Sequence, residues 1–148
     1  MPKKILVIED EATQVLLLTT RLREERFEAI AAMTGEEGLR KAVEEHPDLI
    51  LLDIILPGMS GIELCQQLKE RADTKKIPII LVTASGMRDI ASRCKVFGAE
   101  ACLVKPYHPQ ELLACIQRVF EAPPAQDEAI AAASSSHPTS KPSSRRAR

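Results

Sequence analysis

The feature that most constrains this fold is an unbroken aliphatic run, Leu49–Leu52, that ends in a carboxylate, Asp53. Such a run is typical of a strand buried on both faces, as the strands of parallel sheets are. Aspartate is among the residues least often buried without a partner, so its place at the strand end needs a physical reason. Asp53 is therefore either a turn residue before Pro57 or the working group of a site at the carboxyl end of a strand.

Four further aliphatic runs alternate with helical patterns along the chain. The predicted strands are Ile5–Ile8, Phe27–Ala32, Leu49–Leu52, Ile77–Val82 and Ala101–Val104. The predicted helices are Ala12–Arg26, one capped by Thr34 that runs to about Glu45, Gly61–Arg71, Gly86–Phe97 with Gly98 as its cap, and one from Pro109 to about Phe120. Five strands that alternate with five helices predict an α/β fold, a parallel sheet with helices on both faces and right-handed crossovers.

The length of 148 residues suits one domain with its own core and is short for two. The net charge of −1 does not point to a nucleic-acid or membrane partner. Composition changes after the last predicted helix, where residues 122–148 are rich in Ala, Ser and Pro and end in three arginines among four residues. We therefore expect one domain, residues 1–121, followed by a disordered tail, residues 122–148. The tail either has a role of its own or links to a domain that this chain does not contain.

Cysteine spacing and the N-terminus indicate the compartment. The four cysteines, Cys65, Cys94, Cys102 and Cys115, form no pair with metal-binding spacing, so we expect partly buried thiols in a reducing environment. The N-terminus reaches acidic residues after only four apolar positions, which predicts neither a signal peptide nor a membrane span. These features predict a cytoplasmic protein.

Polar side chains follow four of the five predicted strands. Glu9 and Asp10 follow the first strand, Asp53 the third, Thr83 the fourth and Lys105 the fifth. Open parallel sheets bind ligands outside the carboxyl ends of their strands, so these side chains are expected to converge. Three carboxylates at one edge repel one another, and a hard divalent cation would neutralise them. Mg²⁺ fits best, because it takes one or two protein carboxylates and keeps water or phosphate oxygens.

A carboxylate in this position can act as a nucleophile toward phosphorus and form an acyl phosphate. Lys105 and Thr83 would then bind the transferred group and offset its charge. No glycine-rich turn follows the first strand, which counts against a flavin or nucleotide site. Glu9 and Asp10 have an alternative role as acids near the start of the first helix, and that role is compatible with metal binding.

Four motifs, taken in order, resemble those of bacterial response-regulator receiver domains. They are the acidic pair in ILVIEDE, the phosphoacceptor strand and loop in LLDIILPGMSG, the threonine before a small residue in LVTAS, and the Lys-Pro strand end in GAEACLVKPY. The resemblance covers about Lys3 to Glu121. It implies a flavodoxin-like, doubly wound (βα)5 fold with strand order 2-1-3-4-5.

The resemblance implies that Asp53 accepts a phosphoryl group from a histidine kinase or a phosphotransfer protein. Lys105 would pair with that group, Thr83 would move to hydrogen-bond it, and the peptide bond between Lys105 and Pro106 would be cis. The domain would be a phosphorelay switch rather than a turnover enzyme. Its surface near the fourth and fifth strands would control a downstream protein, and a phosphorylation-dependent dimer is compatible with this class.

The resemblance also implies a Mg²⁺ site. Asp10 and Asp53 would be direct ligands, Glu9 would act through water, and Ile55 would contribute its backbone carbonyl oxygen. Ile55 and Ser85 occupy positions at which this family tunes the access of water to the acyl phosphate. Because the apolar side chain of Ile55 cannot orient an attacking water, we expect a long-lived phosphoryl group.

One position departs from the family. Cys102 lies three residues before Lys105, where the family usually has Tyr or Phe, and a thiol cannot fill the volume of a ring. The way in which the switch is reported is therefore expected to differ, and Tyr107 is interpreted as a packing residue. A redox role for Cys102 is disfavoured, because a thiol in an apolar strand is usually inert.

Two other functions are compatible with the same fold. One is an interaction module that binds partners without phosphorylation. The other is a phosphohydrolase with an aspartyl nucleophile, which typically has a second acid two residues after the nucleophile. Ile55 occupies that position, which disfavours the hydrolase.

Overall fold

The computed structural model describes residues 2–84, 89 and 93–122. Its strands are β1 (Lys4–Ile8), β2 (Glu28–Ala32), β3 (Leu49–Asp53), β4 (Ile79–Thr83) and β5 (Ala101–Val104). Within those residues the α-helices are α1 (Ala12–Glu24), α2 (Gly35–Glu45), α3 (Gly61–Glu70) and α4 (Pro109–Glu121), and a 3-10 helix spans Cys94–Phe97. None of the helices in this part of the chain combines the length and the apolar character needed to cross a membrane.

The five strands form one parallel sheet in the order β2-β1-β3-β4-β5, which confirms the predicted fold class and strand order. All residues of β3 and β4 are buried, as expected for strands covered on both faces. The chain runs outward from β1 to β2 and then returns to place β3 on the other side of β1. Open sheets bind ligands at such a reversal of strand order. Glu9, directly after β1, and Asp53, the last residue of β3, lie at this reversal.

The sheet separates two apolar clusters. One contains side chains of α2 and α3 packed around Ile50, Leu52 and Leu81, and we call this side the α2–α3 face. The other contains side chains of α1 and α4 packed around Leu49 and Leu51, and we call this side the α1–α4 face. The aliphatic composition predicted from the sequence therefore fills both layers, and polar groups are left at the strand ends.

Side chains fix the starts of two helices. The Thr34 hydroxyl accepts a hydrogen bond from the Glu37 N–H at 3.0 Å, which confirms the predicted N-cap. The Glu37 carboxylate accepts in return from the Met33 N–H at 2.8 Å. The Ser60 hydroxyl caps α3 by accepting from the Glu63 N–H at 3.1 Å. This second cap fixes the loop that leads away from Asp53.

Between β4 and β5 the structure differs from the prediction over the last four residues of the predicted helix; Asp89, within that helix, is helical as predicted. The sequence pattern predicts one helix over Gly86–Phe97, whereas the structure has a 3-10 helix over Cys94–Phe97. Residues 86–88 and 90–92 of the predicted helix lie outside the described residues. Gly98 ends the 3-10 helix with a φ of 97°, the left-handed cap that was predicted. The predicted disordered tail also lies outside the described residues from position 123 onward.

The last helix returns to the amino-terminal edge of the sheet. The Phe120 ring lies 6.1 Å from the Phe27 ring, measured between centroids, and the Lys3 ammonium lies 5.3 Å from the centre of the Phe120 ring. Lys3 directly precedes β1 and Phe27 directly precedes β2. These aromatic and cation–π contacts therefore attach the end of α4 to the edge at which the strands begin.

The close approach of Gly61 to β3 generates a stability prediction. A Cβ at Gly61 would overlap the Asp53 carbonyl oxygen and lie 2.7 Å from the Ile54 Cα, so the backbone would have to shift. We expect Gly61→Ala to lower the free energy of unfolding by about 3 kcal/mol, the upper range for overpacking. Urea denaturation measures this change.

Gly58→Ala is the control. Gly58 has open space around it but a φ of 77°, so its substitution should cost only about 1–2 kcal/mol of backbone strain. A Gly61→Ala protein as stable as the Gly58→Ala protein would contradict the packing argument.

Candidate functional site

Backbone hydrogen bonds hold the strand ends together at one edge of the sheet. The Glu9 N–H donates to the Ala32 carbonyl at 3.0 Å. The Lys105 N–H donates to the Thr83 carbonyl at 2.7 Å. Each bond extends the ladder one residue beyond a strand, so Glu9 and Lys105 are positioned as firmly as strand residues. The peptide bond between Lys105 and Pro106 is cis, as the resemblance implied.

The Lys105 ammonium lies between two carboxylates. Its Nζ donates to Asp53 Oδ2 at 3.0 Å and to Glu9 Oε1 at 3.3 Å. The two acidic side chains are only 10% and 5% exposed, whereas the lysine side chain is 32% exposed. Two carboxylates withdrawn this far from water need a cation or a proton beside them. Lys105 supplies the cation.

Glu9 is also partly neutralised by a proton. Its pKa is raised to about 7, mainly by burial and then by hydrogen bonding to Asp53, while the Glu11 N–H and the Lys105 ammonium lower it by less. Burial alone would lower the pKa of Lys105, but its bonds to Asp53 and the charges of both carboxylates raise it overall. Lys105 is therefore a permanent cation at neutral pH, and Glu9 exchanges a proton there.

Each oxygen of the Asp53 carboxylate accepts a hydrogen bond from one of the described residues. Oδ2 accepts from Lys105, and Oδ1 accepts from the Ile55 N–H at 2.9 Å. The first bond comes from the end of β5, and the second comes from the loop that follows β3. These bonds fix the orientation of the carboxylate at the strand end.

Asp53 lies at the base of an open cleft of about 600 Å³. The residues that line this cleft are Glu9, Asp10, Glu11, Ala12, Asp53, Ile55, Ala84 and Lys105. The predicted site residues Glu9, Asp10, Asp53, Ile55 and Lys105 thus come together. The Ile55 side chain is 59% exposed and gives the cleft an apolar wall next to the carboxylate.

Thr83 is placed differently. Asp53 pairs in register with Val82, so the Asp53 and Thr83 side chains lie on opposite faces of the sheet. Thr83 is fully buried, and its hydroxyl has no hydrogen-bond partner in the part of the chain that the structure describes. It is at the same edge as the cleft but does not line it.

The sequence did not show that Glu9 pairs directly with Lys105. The resemblance assigned Glu9 only a water-mediated role, and a separation of 96 positions in the sequence conceals the direct contact. The signal was present in the order of the strands, since Glu9 and Lys105 each end a strand at the same edge. Tyr107, predicted to pack, is half-buried beside this site, and burial raises its pKa.

The donor atoms of the cleft fit Mg²⁺. The described side chains contain no cluster of three or more acidic, histidine or cysteine ligands positioned for a metal. Mg²⁺ does not need such a cluster, because it binds through one or two carboxylates and completes its octahedron with water or phosphate oxygens. Asp10 and Asp53 line the cleft and can supply those carboxylates, and the open volume leaves room for water.

The fold and this site define a class of protein. Residues 5–117 match the response regulator receiver domain, and the chain belongs to that family. It is a phosphorelay signalling domain of the kind found in two-component systems.

Relatives and solved structures agree with this assignment. The chain is 41% identical over 120 residues to the phosphate regulon transcriptional regulatory protein PhoB of Rhizobium meliloti (strain 1021), across 81% of this chain and 53% of that protein. The chemotaxis protein CheY4 of Vibrio cholerae superposes with a TM-score of 0.75 at 29% identity, covering 80% of this chain and 99% of CheY4. A CheY-like receiver domain protein from Methanospirillum hungatei JF-1 has a TM-score of 0.75 at 30% identity, covering 82% and 95% of the two chains. The chain spans about half the length of the curated relatives it matches.

The shifted pKa of Glu9 generates a prediction for stability against pH. Glu9 ionises near 4.5 when exposed but near 7 in the folded protein, so its ionisation destabilises the fold as the pH rises between these values. Glu9→Gln keeps an oxygen that can accept from the Glu11 N–H but cannot ionise. We expect the free energy of unfolding of the variant, relative to the wild type, to rise by on the order of 1–3 kcal/mol across this window and to level off above it.

Urea unfolding from pH 4.5 to 8 in the presence of EDTA measures this difference without a contribution from divalent cations. A difference that stays constant or falls as the pH rises would contradict the burial of an ionisable Glu9.

Proposed function

We propose that Asp53 is the phosphoacceptor of this receiver domain. The observation that carries the proposal is the pair of hydrogen bonds from Lys105 and the Ile55 N–H to the two Asp53 oxygens. They orient a carboxylate toward an open cleft and keep a positive charge beside the place where a phosphoryl group would bind. This combination supports nucleophilic attack on phosphorus rather than a purely structural role.

In the proposed reaction an Asp53 oxygen forms a bond to phosphorus as the bond between phosphorus and a donor histidine nitrogen breaks. The histidine nitrogen keeps the electron pair and takes up a proton, and Asp53 becomes an acyl phosphate. The donor is a histidine kinase or a histidine phosphotransfer protein. A macromolecular donor can bring its histidine into the cleft because the cleft is open to solvent.

Lys105, Glu9 and Thr83 have separate roles in this proposal. Lys105 would exchange its bond to the Asp53 carboxylate for one to the phosphoryl oxygens, whose charge it offsets. Glu9 would keep the lysine in place during that exchange, because its own bond to Nζ does not involve Asp53. Thr83 would turn its buried hydroxyl toward the phosphoryl group, which requires a local change at the end of β4.

We propose that Mg²⁺ is held by the carboxylates of Asp10 and Asp53 and the carbonyl oxygen of Ile55, with Glu9 acting through water. When bound, the cation would offset the charge of the phosphoryl oxygens. The chain's own part is to supply two carboxylates at the carboxyl ends of the adjacent strands β1 and β3, at a cleft large enough to admit water.

The domain is a signalling unit, and we propose that it acts as a switch rather than by turnover of a substrate. Residues 1–121 would form the receiver, with residues 122–148 as a tail, and the surface around β4 and β5 would control a downstream protein or a phosphorylation-dependent dimer. The acidic excess of residues 1–121 supports a protein partner rather than direct nucleic-acid binding. Four free thiols support a cytoplasmic location, where cysteines stay reduced.

Phosphorylation at Asp53 is testable with a small donor. Incubation with acetyl phosphate and Mg²⁺ should add one phosphoryl group by intact mass spectrometry, and Asp53→Asn should abolish the addition because an amide is not a nucleophile of this kind. Asp73→Asn, on the surface beside Arg71, is the matched control and should be phosphorylated like the wild type.

Phosphorylation that persists in Asp53→Asn would show that another residue is the phosphoacceptor. No mass increase with either acetyl phosphate or a histidine kinase would favour an interaction module that works without phosphorylation.

The apolar wall formed by Ile55 generates a prediction for the lifetime of the phosphoryl group. A water molecule needs a polar side chain to orient it for attack, and Ile55 provides none. We expect Ile55→Asn to accelerate dephosphorylation several-fold, measured as loss of the acyl phosphate after removal of the donor. Leu16→Asn, which replaces an equally exposed aliphatic residue of α1 outside the cleft, should leave the rate unchanged. Equal rates for wild type and Ile55→Asn would contradict the argument.

A further inference from the structure

Glu11 adds a fourth carboxylate to the cleft at Asp53. Glu9, Asp10, Glu11 and Asp53 all line this cleft, and Lys105 is the one basic side chain among the lining residues that the structure describes. The Lys105 ammonium already bonds to Asp53 and Glu9. The acids of the cleft therefore outnumber its cations, and Glu11 does not share the ammonium.

The Glu11 carboxylate forms no hydrogen bond or ion pair with the residues that the structure describes. Glu11 is the N-cap residue of α1, but its side chain makes no capping bond to the helix. Its backbone N–H donates to Glu9 Oε2 at 3.1 Å, which fixes its backbone beside that buried acid. The exposed side chain of Glu11 therefore places an unneutralised negative charge on the wall of the cleft.

An unpaired charge on the wall of a cleft acts on every charged molecule that enters. The interaction energy is proportional to the charge of the entering group, falls with distance and is screened by salt. A phosphoryl donor is an anion, so the Glu11 carboxylate should oppose its approach. A donor with a positive charge on its leaving group should be opposed less, and a cation such as Mg²⁺ should be attracted.

We propose that Glu11 is a specificity-determining residue that selects phosphoryl donors by their charge. It disfavours acyl phosphates and other strongly anionic donors, and it thereby favours donors in which a protonated nitrogen is bound to phosphorus. This inference rests on the proposed function, since it assumes that Asp53 accepts the phosphoryl group. Glu11 acts through the electric field in the cleft, without a bond to Asp53 and without being one of the proposed Mg²⁺ ligands.

Two small donors of different charge separate this role from a general effect on reactivity. Acetyl phosphate is a dianion at neutral pH, and phosphoramidate is a monoanion because its nitrogen is protonated. In each reaction an Asp53 oxygen forms a bond to phosphorus. With acetyl phosphate the bond between phosphorus and the acetyl oxygen breaks, and acetate leaves with the electron pair. With phosphoramidate the bond between phosphorus and nitrogen breaks, and ammonia leaves with the electron pair.

Glu11→Gln removes the charge and keeps the size of the side chain. At saturating Mg²⁺ we expect acetyl phosphate to phosphorylate this variant about two- to fivefold faster than the wild type, and phosphoramidate to do so about 1.5- to twofold faster. The second gain should be smaller because phosphoramidate carries less negative charge. Initial rates are measured by intact mass spectrometry at donor concentrations far below saturation, and thermal unfolding confirms that each variant is folded.

Glu25→Gln is the matched control. It removes the same charge from an exposed glutamate at the other end of α1, outside the cleft, and should leave both rates unchanged. Salt provides a second check on the mechanism. Raising the ionic strength to about 0.5 M should shrink the gain of Glu11→Gln, because exposed charges are then screened within a few ångströms.

Binding of Mg²⁺ gives a readout that does not depend on phosphorylation. With no donor present, calorimetry should show that Glu11→Gln binds Mg²⁺ about two- to threefold more weakly than the wild type, and that Glu25→Gln binds it equally well. Opposite effects on an anionic donor and on a cation are expected from the loss of a charge and not from a change in packing.

An equal gain with the two donors, a gain that high salt leaves unchanged, or an unchanged Mg²⁺ affinity in Glu11→Gln would overturn the role of Glu11. Each of these results would leave Asp53 as the phosphoacceptor. A wild type that neither donor phosphorylates, and that a histidine kinase does not phosphorylate, would overturn the proposed function together with this inference. The two kinds of failure are therefore distinguishable.

Discussion

The contact of one ammonium with two buried carboxylates is the interaction on which the rest of this structure depends. Glu9 and Asp53 are brought side by side by β1 and β3, and burial would be costly for both if Lys105 did not lie between them. The neutralisation is incomplete, because Glu9 still has a raised pKa. The two carboxylates therefore have only one ammonium beside them, and a further cation or an incoming phosphoryl group would change the net charge of the site.

The sheet makes this arrangement possible by keeping polar groups out of its interior. The strands β3 and β4 are buried along their whole length, so a charged side chain can be accommodated only at their ends. The reversal of strand order between β1 and β3 then selects which ends are adjacent. The reactive side chains are thus located at the carboxyl edge because the aliphatic strands pack in the interior and leave only their ends for polar groups.

Most of the fold could be predicted from the sequence. Local sequence patterns can be recognised without knowledge of the tertiary structure. Examples are the aliphatic runs, the N-cap at Thr34 and the left-handed cap at Gly98. The strand order came from the resemblance of four motifs to a family. The predicted helix before Gly98 had a weak apolar pattern, and the structure shows a 3-10 helix over its described end.

The parts of the site that could not be predicted depend on register and on long-range contacts. Four cleft residues, Glu9, Asp10, Asp53 and Lys105, were expected because each lies at the end of a strand, and the fifth, Ile55, was expected from the family resemblance. The face on which Thr83 lies follows from the pairing of Asp53 with Val82, and strands buried on both faces show no alternation from which that pairing could be deduced. The direct bond between Glu9 and Lys105 likewise joins residues far apart in the chain.

The aromatic contact between Phe120 and Phe27 has a consequence for how a signal leaves the domain. It attaches the end of α4 to the edge at which the strands begin, so the chain departs one strand length, roughly 17 Å, from the cleft. A segment attached after α4 would start at the far pole of the domain from the phosphoacceptor. A change in the charge on Asp53 can therefore affect such a segment only through the sheet or through the domain surface. The phosphoacceptor and the point at which a segment would be attached lie at opposite ends of the domain.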